Sequence, residues 1–346
     1  MRKAGIAAAL AVCVVTCSGG LTLMTYNVEN LFDDVHDGSE YREFDPNAGT
    51  WSAEFFKIRV DSIAEVVRKA LPGGADILLL QEVENENALS KLVTDGLRGM
   101  GYAWKAFVPK RGLSANVAIV SRFPIAQVRT HAVGPWKGAT PLRDVVEADI
   151  VIAGRTLIVL DNHWKAKTEG ARVTEPYRRN AAGVLARRIK EILALDPEAD
   201  IIAAGDMNES LDELDRVGGK YQTALVPETE RAAAADPRQS IFLSSTASGL
   251  GVVGNRCVLY DPWYEIEDSR RGSYFYQGDW LTVDHMLLSP GLFDPHGFSY
   301  HPRSFGPVRS SFLLSDKGFP KAWSSLTKDR GYSDHLPLLI RLDAGN

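Results

Sequence analysis

Residues 201–209 read Ile-Ile-Ala-Ala-Gly-Asp-Met-Asn-Glu. Four apolar or small residues suited to a buried strand stop at Gly205, and Asp206, Asn208 and Glu209 follow at once. In an extended tail, residues two apart point the same way. Asp206 and Asn208 therefore offer one site an anionic acceptor and a neutral donor, a pairing that suits holding and polarising a water beside a phosphorus. Taken alone, a strand running into a polar turn is the plainer reading. The question is whether other strands end the same way.

Several do. Residues 21–26 alternate like a strand and deliver Asn27-Val28-Glu29-Asn30. An apolar run over 76–80 ends in Gln81-Glu82, and a hairpin over 144–152 and 156–160, turning at Ala153-Gly154-Arg155, ends in Asp161-Asn162-His163-Trp164-Lys165. A strand over 280–289 contains Asp284-His285, and Ser333-Asp334-His335 opens a last strand over 336–342. Further strands are expected over 104–108 and 116–121. Helical periodicity predicts a helix capped by Ser52 and running to residue 71, another over 86–100, and a long one over 174–193 that leads into the opening strand. Residues 211–250 are weakly patterned and read as a short helix and loops. The segment 260–280 is crowded with aromatics that suit the packing of a long loop, base stacking or a lipid interface.

The chain has 346 residues, enough for a sizeable core, with 45% hydrophobic and 24% charged residues and a formal charge of -5. That charge argues against a basic surface overall and leaves room for a local basic groove. Arg2 and Lys3 precede an apolar run over residues 4–15, too short to span a bilayer comfortably and suited to an export signal. The expected organisation is a leader over 1–20 and a catalytic domain over 21–346. The protein is expected outside the cytoplasm, periplasmic, secreted, or anchored to the envelope through a lipid on Cys17, with ordinary signal cleavage near residues 18–20 as the alternative. Cys13, Cys17 and Cys257 make an internal disulfide framework improbable, and no obligate protein partner is indicated.

Together the strand tips describe phosphoester hydrolysis. Glu82, Asp334 and either Asn27 or Glu29 are hard oxygen ligands suited to Mg2+ or Mn2+. His163 and His335, facing one another across a cleft, can handle protons. Asp206 is the candidate for activating water. Asn162, Arg143 and Lys165, with Lys167 nearby, are candidates for holding the substrate's phosphate oxygens.

The set Tyr-Asn-Val-Glu-Asn, Leu-Gln-Glu-Val, Asn-His-Trp-Lys, Gly-Asp-Met-Asn, Val-Asp-His-Met-Leu-Leu-Ser and Ser-Asp-His-Leu-Pro resembles the endonuclease/exonuclease/phosphatase superfamily in content and order. Its opening and its Asn-His-Trp-Lys segment look most like exported bacterial members. The resemblance covers residues 21–342 and implies a four-layer α/β/β/α sandwich, two packed mixed sheets flanked by helices, with the site at one end. It implies metal binding by Glu82, with Asn27 close by and Glu29 where several members carry an Asp. It implies that Asp206 and Asn208 orient water and a phosphate oxygen, that Asp284 partners His335 with Asp334 beside it, and that His163 serves the phosphate or the leaving oxygen. In DNase I-like nucleases that histidine has a glutamate partner from an earlier strand, whereas no Glu or Asp occurs from Tyr102 to His131.

The function expected is an exported Mg2+-dependent phosphodiesterase, foremost a nuclease acting on DNA or RNA. A lipid-directed phosphoesterase, sphingomyelinase-like or acting on phosphoinositides, and a non-catalytic surface binding protein are the alternatives. Ala204 before the Gly-Asp pair and Glu209-Ser210 after Asn208 depart from the phosphoinositide phosphatase pattern.

Overall fold

The computed structural model describes residues 20–135, 141–325 and 330–344. The leader expected over 1–20, Gly20 apart, and the lipid candidate Cys17 therefore lie outside the described residues.

Strand β1 (Leu21–Leu31) serves two cores, because alternate residues of a strand face opposite ways. Leu21 and Leu23 enter the core between the sheets, and Met24, Tyr26 and Val28 meet helix α1 (Ala53–Ala70). Ser52 caps α1 by accepting the Phe55 amide at 3.3 Å, and Phe56, Val60, Ile63 and Val67 form its buried stripe. Helix α1 crosses over to β2 (Ile77–Val83), which runs parallel to β1. Helix α2 (Glu86–Lys91) is shorter than the helix expected over 86–100. It widens into a π-turn at Leu92–Gly96, where a Cβ on Gly96 would lie 2.9 Å from Val60 Cγ1. Contact with α1 leaves no room there for a side chain.

Strands β3 (Trp104–Phe107) and β4 (Asn116–Ser121) extend this sheet, and β5 (Ile125–His131), β6 (Val145–Ile152) and β7 (Arg155–His163) begin the second. The long helix α3 (Ala171–Leu195) returns the chain to β8 (Ile201–Asp206), parallel to β7. Then come α4 (Glu213–Arg216), β9 (Leu225–Pro227), β10 (Ile241–Ser244), β11 (Gly251–Val253) and β12 (Arg256–Tyr260). A separate hairpin, β13 (Tyr274–Tyr276) and β14 (Asp279–Leu281), precedes β15 (Asp284–Leu288), β16 (Phe298–Tyr300), β17 (Gly306–Pro307) and β18 (Leu338–Ala344).

One sheet has the order β16-β18-β1-β2-β4-β3, with β17 also on β18; the other runs β5-β6-β7-β8-β15-β12-β10-β9, with β11 on β12. Both mix parallel and antiparallel neighbours. Leu23, Leu79, Ile119 and Ile340 of the first sheet share a core with Val159, Leu160, Ala203 and Met286 of the second. Helix α1 covers the outer face of the first sheet, and α3, through Ala181, Leu185 and Ile189, packs on the second. The result is the expected four-layer sandwich.

Three local expectations needed correction. Strand β5 was not anticipated because most of its side chains are exposed; it is an edge strand held by β6 and by Arg129, which donates to Glu147 at 2.6 Å and Asp149 at 2.9 Å. The loops expected over 211–250 contain β9 and β10, runs of three and four residues too short to show a period. The single strand expected over 280–289 breaks before Asp284, and its first part folds back onto β13.

Candidate active site

Strand register assembles the site. His163, Asp206 and Asp284 are direct partners across β7, β8 and β15, so they form one row at the end of the second sheet. At the matching end of the first sheet Asn27 is the partner of Gln81, with Glu82 one step beyond. Asn27 joins the two ends, because its Nδ2 donates to Glu82 Oε1 at 3.2 Å and to Asp206 Oδ2 at 3.0 Å.

The backbone is irregular where it carries these groups. Glu29, Glu82 and Asn208 have φ of 51°, 67° and 51°, a left-handed conformation unusual outside glycine. Register shifts between Asn27 and Leu31 and between Gln81 and Val83 mark bulges. Regular alternation would send Glu82 toward α1 with Leu80; the bulge turns its carboxylate to the second sheet. Gly205, at φ 123°, is required for a different reason: a Cβ there would lie 2.0 Å from the Asn162 carbonyl oxygen.

His335 Nδ1 lies 2.8 Å from Asp284 Oδ2, which also accepts from Ser273 Oγ at 2.5 Å. This leaves His335 Nε2 directed at Asp206 Oδ2 and Asp334 Oδ1, each 3.9 Å away. Burial opposes a charged His335, but Asp284, Asp334 and Asp206 outweigh it and raise its pKa well above the ordinary value. Burial likewise lifts Asp206 to about 7, with the Asp284 charge adding to it and His335 opposing. Glu82 is raised by burial and by Asp334.

His163 is held differently. Its Nε2 stands 3.6 Å from Asp206 Oδ2 and 3.8 Å from Glu82 Oε1, while its buried Nδ1 has no hydrogen-bond partner among the described residues. Burial, reinforced by the charges of Arg143 and His335, holds its pKa well below the usual histidine value. The two histidines thus share Asp206 between them. A cavity of about 260 Å³ opens over the group, lined by Glu82, His163, Asp206, Asn208, Asp334 and His335 and walled by Lys167, Tyr274 and Tyr276.

Asn27, Glu29, Asn162, Arg143 and Lys165 occupy places other than those expected. Asn27, expected to ligate a metal, keeps Oδ1 for the Glu29 amide at 3.0 Å and presents Nδ2 to the carboxylates, so here it aligns them. Glu29 Oε2 accepts the backbone amides of Trp323 at 2.6 Å and Asp334 at 2.9 Å, which makes it a clasp behind Asp334. Asn162 is fully buried, its carboxamide bonded to Leu160 O, Ala204 O and Trp164 Nε1, and it joins strands instead of meeting the cavity. Asn208 lines the cavity, with Nδ2 shared between Asp206 Oδ2 and Trp164 O, both at 3.1 Å. Arg143 and Lys165 lie outside the main cavity, beyond His163.

Two tyrosines of the aromatic segment 260–280 complete the wall. Tyr274 stacks on His335 with ring centroids 4.6 Å apart, and Tyr276 stacks on Tyr274 at 6.1 Å. Their spacing of two, followed by Gln277-Gly278 with φ of 51° and 98°, was a hairpin signal within the aromatic segment. Ser273 carried no such signal.

Asp206, Asp284 and His335 offer ligand atoms within 4.8 Å of one another, and Glu82 and Asp334 stand beside them. This donor set, rich in carboxylate oxygen and lined by no thiol, fits a hard divalent cation.

A family model described as "Endonuclease/Exonuclease/phosphatase family" matches residues 22–218. Among solved structures, truncated Caenorhabditis elegans TDP2 is 16% identical, with a TM-score of 0.54 and coverage of 94% of this chain and 98% of that one. Bacteroides thetaiotaomicron mannosyl-6-phosphatase is 17% identical, with a TM-score of 0.55 and coverage of 93% and 99%. At such identities the likeness is one of fold. No curated protein matches the chain. With its matched motifs converging on one acidic, histidine-bearing cavity, the chain belongs to the endonuclease/exonuclease/phosphatase family of metal-dependent phosphoesterases.

Proposed function

We propose that this phosphoesterase is an exported phosphodiesterase that hydrolyses DNA or RNA with Mg2+, or Mn2+ in its place. The observation that carries the reading is the aromatic stack at the cavity. Tyr276 is 52% exposed and lies on Tyr274, which lies on His335. A ladder of π-faces therefore runs from the proton-handling pair to solvent, where a base beside the scissile phosphate can stack whatever its identity.

Within the reaction, Asp284 fixes the His335 ring and Asp206 takes the proton of the attacking water. His163, on the opposite side of Asp206, faces the phosphate or the leaving oxygen. Lys167, held by Glu213 Oε2 at 2.5 Å, adds positive charge at the cavity wall. Glu82 and Asp334 are the residues to hold the cation, with Asn27 keeping Glu82 and Asp206 aligned. A bound divalent cation neutralises charge on the phosphoryl oxygens.

Export rests on Arg2, Lys3 and the apolar run after them, with Cys17 as a lipid attachment point. The lipid-directed alternative draws less support. Of the aromatics over 260–280, Trp263 is fully buried and Tyr276 alone is a strongly exposed ring, which makes a stacking edge and not a membrane-facing belt.

The test is hydrolysis of plasmid DNA, RNA, sphingomyelin and bis(4-nitrophenyl) phosphate by a leaderless protein with Mg2+, Mn2+ or EDTA. The expected result is metal-dependent cleavage of nucleic acid that weakens in Tyr276→Ala. Lipid turnover without nucleic-acid cleavage would reject the reading.

A further inference from the structure

Beyond His163 lies a second hollow of about 170 Å³. Among the described residues His163 alone lines both cavities, so it stands between them. The two sides differ in charge. The reactive cavity carries Glu82, Asp206 and Asp334, whereas among the described residues no carboxylate lines the second hollow. Its walls include Leu113, Leu142, Trp164 and Tyr177, and its cations are Arg143 and Lys165.

Arg143 is half-buried and held by one nitrogen, with its fork left open. Its Nε donates to the Ala115 carbonyl at 2.8 Å, and among the described residues its two terminal nitrogens have no acceptor. The guanidinium charge is felt at Glu82 and at His163, which places it within electrostatic reach of the reactive group. Lys165 sits at the rim, paired at 2.8 Å with Glu169, whose side chain is 60% exposed. A guanidinium with a free fork, set among apolar walls in a hollow that no carboxylate lines among the described residues, is built to be completed by an anion. Phosphate geometry matches the fork in two parallel bonds.

We propose that this hollow is a second phosphate subsite, which receives a phosphate one unit removed from the scissile one, with Arg143 forked onto it and Lys165 at its edge. This rests on the reading of the protein as a nucleic-acid phosphodiesterase. It adds that the enzyme measures two phosphates at once, one on each side of His163. Substrates with a single phosphate leave the subsite empty.

The experiment compares kcat/KM in the metal-loaded enzyme for a dinucleotide with one internal phosphate, its 5′-phosphorylated form, and a trinucleotide with two internal phosphates. A two-phosphate substrate should be preferred by about tenfold or more, as expected for bonds to a charged group. The pair of two-phosphate substrates tells whether the second phosphate is terminal or internal. Arg143→Gln should bring the preference close to one, and so should Leu113→Glu, which adds a charge of the phosphate's sign to the lining of the hollow. Equal rates on one and two phosphates in the unmodified enzyme, or a preference that survives both substitutions, would overturn the subsite. If no nucleotide is cleaved, the nucleic-acid reading fails separately, and inorganic phosphate titrated calorimetrically in EDTA decides the subsite. Saturable binding lost in Arg143→Gln supports it. Absent binding, or binding equal in the variant, rejects it.

Discussion

Asp284-His285 and Asp334-His335 are the same dipeptide beside two strands, and the fold exchanges their partners. Asp284 pairs with His335, while His285 turns the other way and pairs with Asp261 at 2.9 Å. The exchange follows from β15 being extended, so that Asp284 and His285 occupy opposite faces. Both histidines hold a carboxylate on Nδ1, and they differ at Nε2. In His285 that nitrogen is spent on the Glu209 carbonyl at 2.9 Å and the ring is wholly buried; in His335 it faces Asp206 and Asp334 at the cavity. An aspartate–histidine pair is therefore no sign of reactivity until the second nitrogen is accounted for.

The comparison can be broken most sharply by removing each ring. His335→Gln should lower turnover by about a hundredfold to ten-thousandfold, the range for a lost proton-transfer group, with the melting temperature little changed. His285→Ala should do the reverse. It strands Asp261 in the core and should cost about 3–5 kcal/mol in urea denaturation, while kcat per folded molecule stays near that of the unmodified protein. Similar activity losses in both variants would erase the distinction drawn between them.

A subtler test concerns what holds the second dipeptide. Glu29→Gln keeps an oxygen for the amides of Trp323 and Asp334 and should reduce activity less than Glu29→Ala, which leaves those donors bare at about 1–3 kcal/mol each. If Gln is as damaging as Ala, and metal affinity falls with it, Glu29 ligates the cation directly. Buried Arg59 supports the clasp by donating to Glu29 O at 3.2 Å and to Tyr332 O at 2.7 Å.

The smallest effect is a pH dependence. Burial opposes the charged form of His285, yet Asp261 and the Glu209 carbonyl raise its folded pKa above the ordinary 6.5. The pair therefore stabilises the fold fully below pH 6.5, and that contribution is lost as pH rises through the raised folded value. Stability measured by urea denaturation across that window should decline less in His285→Gln than in the unmodified chain. Parallel profiles would show that the ring titrates alike in folded and unfolded protein.

Much of this could be read from residue order. The apolar strand ending at Gly205, the helical stripe of α1 and the repeated polar strand tips were visible because strand and helix periods are local properties. Asp206, Glu82, His163 and His335 were named on that basis, and the fold brings them to one cavity. The aim of Glu82 was not visible, because it depends on a bulge in β2. Nor were the inward turn of Asn162 and the clasp made by Glu29, since the residues that take up their polar atoms, such as Ala204 and Trp323, are distant in sequence. Strands β9 and β10 escaped notice because three or four residues cannot show a period, and they are strands only because β10 pairs with β12 and β9 in turn with β10.

Residue order by itself determined the strand tips that bear chemistry and the oxygen-rich character of the site, for each depends on spacing within a short segment, while the layered class was implied by the resemblance of the whole motif set to a family. Tertiary structure decided that His285 turns away to Asp261, that Tyr274 stacks on His335, and that His163 lies between an acidic cavity and a cationic one. The physical reason is that a short-range pattern specifies which face of an element a side chain occupies. What it meets there depends on chain closure over distances such as the 179 residues between Asn27 and Asp206.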